Sequence, residues 1–170
     1  MTAYDTALLM LRVCLGLTLV AHGYDIFFSS GIASVGGHFH SIGMKPGVVH
    51  ARLAAAVEIL AGMGMAVGLL TPIPAAGFVA LMFVAAWTVH RSNGFYLTNG
   101  GWEYTLVLAV GAIVVAMLGS GRLSLDWLLF GHNWMSGWAG LLMSVVLGLG
   151  GGLGQLLIFY RPRAHTERSE

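Results

Sequence analysis

Long apolar runs alternate with short polar gaps along the chain. Apolar residues dominate positions 5–28, 48–70, 75–90, 102–118 and 138–160, and Gly, Pro, Ser, Asn or charged residues bound each run. A helix that crosses a bilayer needs about 20 mostly apolar residues. The pattern predicts an all-α polytopic membrane protein, a four-helix transmembrane bundle with an added fifth, Gly-rich C-terminal transmembrane helix. Residues 1–130 would hold the four spans, residues 131–160 the additional segment, and residues 161–170 a polar, disordered tail.

The gaps supply the turns. Thr71-Pro72-Ile73-Pro74 predicts a tight antiparallel hairpin between the second and third spans. Asn93-Gly94 and Asn99-Gly100-Gly101 punctuate a short loop, and residues 29–47 read as a longer polar loop. Gly148, Gly150, Gly151, Gly152 and Gly154 crowd the last run. So much glycine predicts a kink, close packing against another helix, or close packing against a second subunit, the last of which would make a homo-oligomer through this helix.

Composition narrows the class. The chain is 57% hydrophobic and 9% charged, with mean hydropathy +0.81, whereas soluble domains carry about 25% charged residues. A net charge of +1 and no basic patch with interleaved aromatics argue against nucleic acid as a partner and leave the lipid bilayer as the first one. Cys14 is the one cysteine, so no internal disulfide or thiol relay can form, and no flavin, haem or iron–sulfur motif is present. No Lys or Arg precedes the first run and Phe27-Phe28-Ser29-Ser30 is a poor cleavage site, so the segment reads as retained rather than as a signal peptide. Lys45, Arg52, Arg91, Arg161, Arg163 and Arg168 fall on one side, against Arg122 on the other. The positive-inside rule then puts the C-terminal tail in the cytoplasm and the N-terminus outside.

Ionisable residues inside the runs are functional candidates by default. At about 1.5 Å per residue, Arg12 and His22 differ by about 15 Å in depth, with Glu58 between them. Arg12 and Glu58 read either as an ion pair that docks spans one and two or as functional groups. His22, Glu58, His90 and Glu103 all lean to one leaflet, beneath the loop holding His38, His40 and, just after it, His50. Each has a structural alternative: a carbonyl bond for His22, an interface anchor for His90, and a helix-dipole partner for Glu103. His38, His40 and His50 are weak metal candidates, since two loop histidines without a carboxylate at fixed spacing make no definite site.

Arg12, His22-Gly23, Glu58 and the stretch Gly119-Ser120-Gly121-Arg122-Leu123-Ser124-Leu125-Asp126 together resemble the DoxX family of small membrane proteins, over roughly residues 5–130. The family often continues His-Gly-x-x-Lys, whereas this chain has Asp25 and Ile26 after Tyr24. The resemblance implies a four-helix membrane bundle with structural roles for Arg122 and Asp126. It also implies kinship to the DoxD-type subunit of thiosulfate:quinone oxidoreductase and to membrane oxidoreductase complexes. The expected function is a subunit of such a redox complex in the bacterial plasma (inner) membrane, binding a quinone and handling its protons, with redox proteins as partners. His22 and Glu58 would carry the protons, and Arg12, Gly23, Gly62, His90 and Glu103 would complete the ligand site. The alternatives are a non-catalytic scaffold or assembly factor, and a small transporter or metal carrier.

Overall fold

The computed structural model describes residues 2–162, whose longer elements are all α-helices: α1 Ala3–Tyr24, α2 Ile32–Ser41, α3 Gly47–Val67, α4 Pro72–Ala85, α5 Glu103–Leu118, α6 Leu125–Phe130 and α7 Trp138–Phe159. Four stretches are long and apolar enough to cross a membrane: Ala3–Ser29, Gly47–Val67, Pro72–Asn93 and Trp138–Phe159. α5 is equally apolar but has 16 residues. Positions 163–170 of the expected tail lie outside the described residues.

Local chemistry sets the boundaries. Thr2 caps α1 by accepting from the Asp5 N–H at 3.2 Å, while the Asp5 carboxylate accepts back from Thr2 N–H and Oγ1–H. α3 stops at Gly68, whose left-handed φ of 68° is open to glycine at little cost. Pro72 begins α4, where a missing N–H does no harm.

Small residues set the packing. α1 and α3 cross at Gly16 and Gly62, where a Cβ on Gly62 would lie 2.6 Å from the Gly16 carbonyl oxygen. α7 lies on α4 through Gly148 and Gly152, against Val79 and Phe83. These contacts keep α7 one continuous helix despite its glycines. Leu15, Leu19, Met65, Phe78, Leu108 and Val115 fill the centre.

Two features depart from the sequence expectation. Residues 29–47 are not simply a loop, because Ile32–Ser41 forms α2. Gly36 lets α2 sit on Val48 of α3, and Phe39 and Ile42 pack against buried Met44, Val84 and Leu156. The chain after α2 is tied to the end of α7: Lys45 N–H donates to Phe159 O at 3.2 Å and Arg161 N–H to Gly43 O at 2.7 Å. The second feature is a pair of π-helical turns, Asp25–Ser29 after α1 and Ala86–His90 after α4. Such turns are rare and often mark functional sites.

Candidate functional site

Both π-turns border one cavity of about 220 Å³, together with α2, α3, α4 and α7. The first turn contributes Ile26 and the second Thr88 and Val89, while Phe39, Val57, Leu81 and Val84 make most of the wall apolar. The polar groups are few: His38, His50, Glu58, Thr88 and Gln155. His50 and Glu58 are held by α3, eight residues apart, and Ala54 and Val57 between them also line the wall. That is the i, i+4, i+7, i+8 stripe of one helix face. His38 and Leu53 are exposed, so the wall reaches the protein surface.

Two buried polar atoms here have no partner in the protein, Glu58 Oε2 and His50 Nε2. His50 is 2% exposed. Its ring stands edge-on to Phe159, with centroids 4.9 Å apart, and Gln155 Nε2 donates to its Nδ1 at 3.0 Å. With Nδ1 the acceptor, a neutral imidazole carries its proton on Nε2. The site therefore presents one unused N–H donor and one unused carboxylate oxygen in apolar surroundings. An unsatisfied buried polar group costs about 1–3 kcal/mol, which a ligand with matching groups would recover.

The other expected residues are distributed differently. His22 is exposed, with its ring 6.4 Å from that of Tyr104, and it does not line the cavity. Depth along a span says nothing of which way a side chain faces. Gly23 packs beneath the site, where a Cβ would lie 3.0 Å from Glu58 Cβ. Gly62 faces α1 rather than the cavity. His90 Nδ1 donates to Gly100 O at 2.7 Å, and Glu103 Oε2 accepts from Leu97 N–H at 2.9 Å. Both hold the loop between α4 and α5. Among the described residues no three His, Cys, Asp or Glu side chains are placed to hold a metal ion. His38 and His40 diverge because two helical residues differ by about 200° in direction.

Arg12 is not Glu58's partner. It is 1% exposed at the opposite end of α3, where Nη1 donates to Ala66 O at 2.9 Å and the Asp126 carboxylate provides the opposing charge. The cause is the end of α3 itself, whose last carbonyls lack helical partners. Asp126, 0% exposed, accepts from Leu70 N–H at 2.7 Å, Thr71 N–H at 3.3 Å and Thr71 Oγ1–H at 3.0 Å. Arg122 donates its backbone N–H to Asp5 Oδ1 at 3.0 Å, and its guanidinium lies 5.1 Å from the Trp127 ring centre.

The DoxX family model matches residues 7–91, half of the chain. The chain belongs to the DoxX family. With its long apolar helices, this DoxX protein is a multi-pass membrane protein. It is also similar to an uncharacterized protein of Haemophilus influenzae, 26% identical over 84 residues, which are 49% of this chain and 56% of that relative. The chain thus spans little more than half the length of the curated relative it matches. No solved structure matches the chain. The DoxX match takes in Arg12, His22, His50, Glu58 and Thr88 but ends before Asp126 and Gln155. Gln155 was not a sequence candidate. A lone glutamine among glycines and leucines on α7 was its only signal.

Proposed function

We propose that this protein is the membrane subunit of a redox complex in the bacterial plasma membrane, and that the cavity at Glu58 and His50 takes the head group of a quinone. The observation that carries this reading is the pair of unpartnered buried atoms, Glu58 Oε2 and His50 Nε2, in one apolar cavity. A quinone offers a carbonyl to the His50 N–H, and its reduced form offers a hydroxyl to the Glu58 carboxylate. An engineered cavity of roughly 150 Å³ admits benzene, so about 220 Å³ suits a single six-membered ring. Quinone reduction takes two electrons and two protons. A partner redox protein supplies or removes the electrons, and Glu58 transfers a proton. His22, exposed at the same end, relays protons outside the cavity.

In this reading all five apolar helices span the bilayer, α5 included, with the N-terminus outside and the end carrying Lys45, Arg52, Arg91 and Arg161 in the cytoplasm. The test is to purify the protein from membranes and assay for bound quinone, then measure binding of a soluble short-chain quinone to the native protein and to E58Q. Co-purifying quinone and an affinity lowered about tenfold in E58Q, worth about 1.4 kcal/mol, are expected. No bound quinone, together with equal affinities, would remove the proposal.

A second reading, a scaffold that docks a partner helix or a second copy, draws on one observation. A Cβ at Gly150, Gly151 or Gly154 would meet nothing within 4 Å, so this side of α7 could admit another backbone closely. Loss of partner pull-down or of self-association in G150L, with the fold retained, would support it. Unchanged association would dismiss it.

A further inference from the structure

On the opposite side of α4 from the Glu58 cavity, three adjoining hollows open between α4, α5 and α7, and Phe83 borders all three. The longest part runs beside α4 from Val79 to Ala86 and is walled almost entirely by apolar side chains of α5 and α7. Trp87, Trp102 and Arg91 close one branch at the end of α4, and Tyr160 and Arg161 close another at the end of α7. From Val79 to Arg91 is about 18 Å along the helix, slightly more than the roughly 15 Å hydrocarbon depth of one leaflet.

We propose that this groove is a binding site for an anionic phospholipid, with an acyl chain against Phe83 and the phosphate between Arg91 and Arg161. The ends of the groove are chemically matched to that occupant. The Arg91 guanidinium lies 4.3 Å from the Trp87 ring centre, which orients it without neutralising its charge. Arg161 Nη1 donates to Leu157 O and Tyr160 O at 3.2 and 3.0 Å, which fixes this cation over the end of α7. The carboxylate that follows Trp102 in the chain, Glu103, is engaged with Leu97 N–H instead. An arginine at the end of each branch, beside Trp87 and Trp102 in one and Tyr160 in the other, puts positive charge at the headgroup level of a leaflet-deep apolar groove, which selects a lipid with negative charge there. Gly152 makes room for the groove's central ring, since a Cβ there would lie 2.9 Å from Phe83 Cδ1. The site is independent of the quinone reading.

The test is native mass spectrometry of the full chain titrated with palmitoyl-oleoyl phosphatidylglycerol and, separately, with the phosphatidylcholine of the same chains. Phosphatidylglycerol adducts are expected at higher occupancy, with each arginine contributing roughly fivefold. R91Q/R161Q should bind the two lipids alike, and R91K/R161K should restore most of the preference. R52Q, an arginine of α3 away from the groove, serves as the control and should keep it. Equal uptake of both lipids by the native protein overturns the proposal whatever the variants do. So does a preference that survives in R91Q/R161Q or is lost in R52Q.

Discussion

At the end of the bundle that holds Asp126, both oxygens of a fully buried carboxylate have donors; at the end that holds Glu58, a buried carboxylate oxygen and a buried imidazole nitrogen have none. The Asp126 end is laced by short bonds from side chains of α1, α6 and the segment between α6 and α7: Asp5 to the Arg122 backbone, Arg12 to Ala66, Asp126 to the Leu70–Thr71 turn, and Asn133 to Gly121 N–H at 3.0 Å. One atom there is left over, Arg12 Nε. The Glu58 end has a cavity and two π-turns instead. A polar network whose members are satisfied holds helices in place, whereas a half-satisfied one inside an apolar wall is suited to a ligand.

The sharpest way to break this contrast is D126A. It strips acceptors from Leu70 N–H, Thr71 N–H and Thr71 Oγ1–H and leaves Arg12 buried beside no counter-charge. A loss of about 3–5 kcal/mol is expected, read as the unfolding free energy in mixed micelles. If D126A is no less stable than E58Q, the two ends are not different in kind. Next comes G62L, which forces α1 and α3 apart at their crossing; about 1–3 kcal/mol should be lost, and an unchanged melting temperature would contradict the close approach. E58Q comes third, because it replaces a carboxyl group whose buried oxygen has no partner: stability should stay within about 1 kcal/mol of the native protein or rise, while quinone affinity falls. A large destabilisation would make Glu58 part of the scaffold. The smallest effect is expected from Q155L. It frees the His50 tautomer, so the ¹⁵N shifts of His50 should move toward a mixture of Nδ1–H and Nε2–H forms, with quinone affinity lower by about threefold or less. Shifts identical to the native protein's would mean that Gln155 does not fix the ring.

Most of the fold was legible because a bilayer demands long apolar runs, and α1, α3, α4, α5 and α7 follow them closely. α2 escaped because ten residues containing Gly36, Gly37 and two histidines read as loop until Phe39 and Ile42 have a wall to pack on. The site was legible in part. Glu58 stood out as a carboxylate in an apolar run; depth arithmetic sets it between Arg12 and His22, and the helix packing brings it level with Gly23. Depth is one coordinate, however, and the direction a side chain faces is another. His22 shares the Glu58 end without facing the cavity, while His50 shares both end and helix face with Glu58 and was weighed only as a metal candidate. The Arg12 partner was missed because the visible carboxylate drew the pairing, and a free helix-end carbonyl leaves no mark in composition.

The π-turn at Ala86–His90 also makes the cavity sensitive to chain length. Its closing bond runs from Arg91 N–H to Ala86 O, one residue longer than the α-helical repeat. Removing any one residue of the five would let the α-helical i→i+4 bond close in its place and flatten the bulge between Ala86 and Arg91. Thr88 and Val89 would leave the wall, although the hydropathy of the span would hardly change. In this protein a one-codon deletion in an otherwise permissive apolar run is therefore expected to be more damaging than most substitutions there.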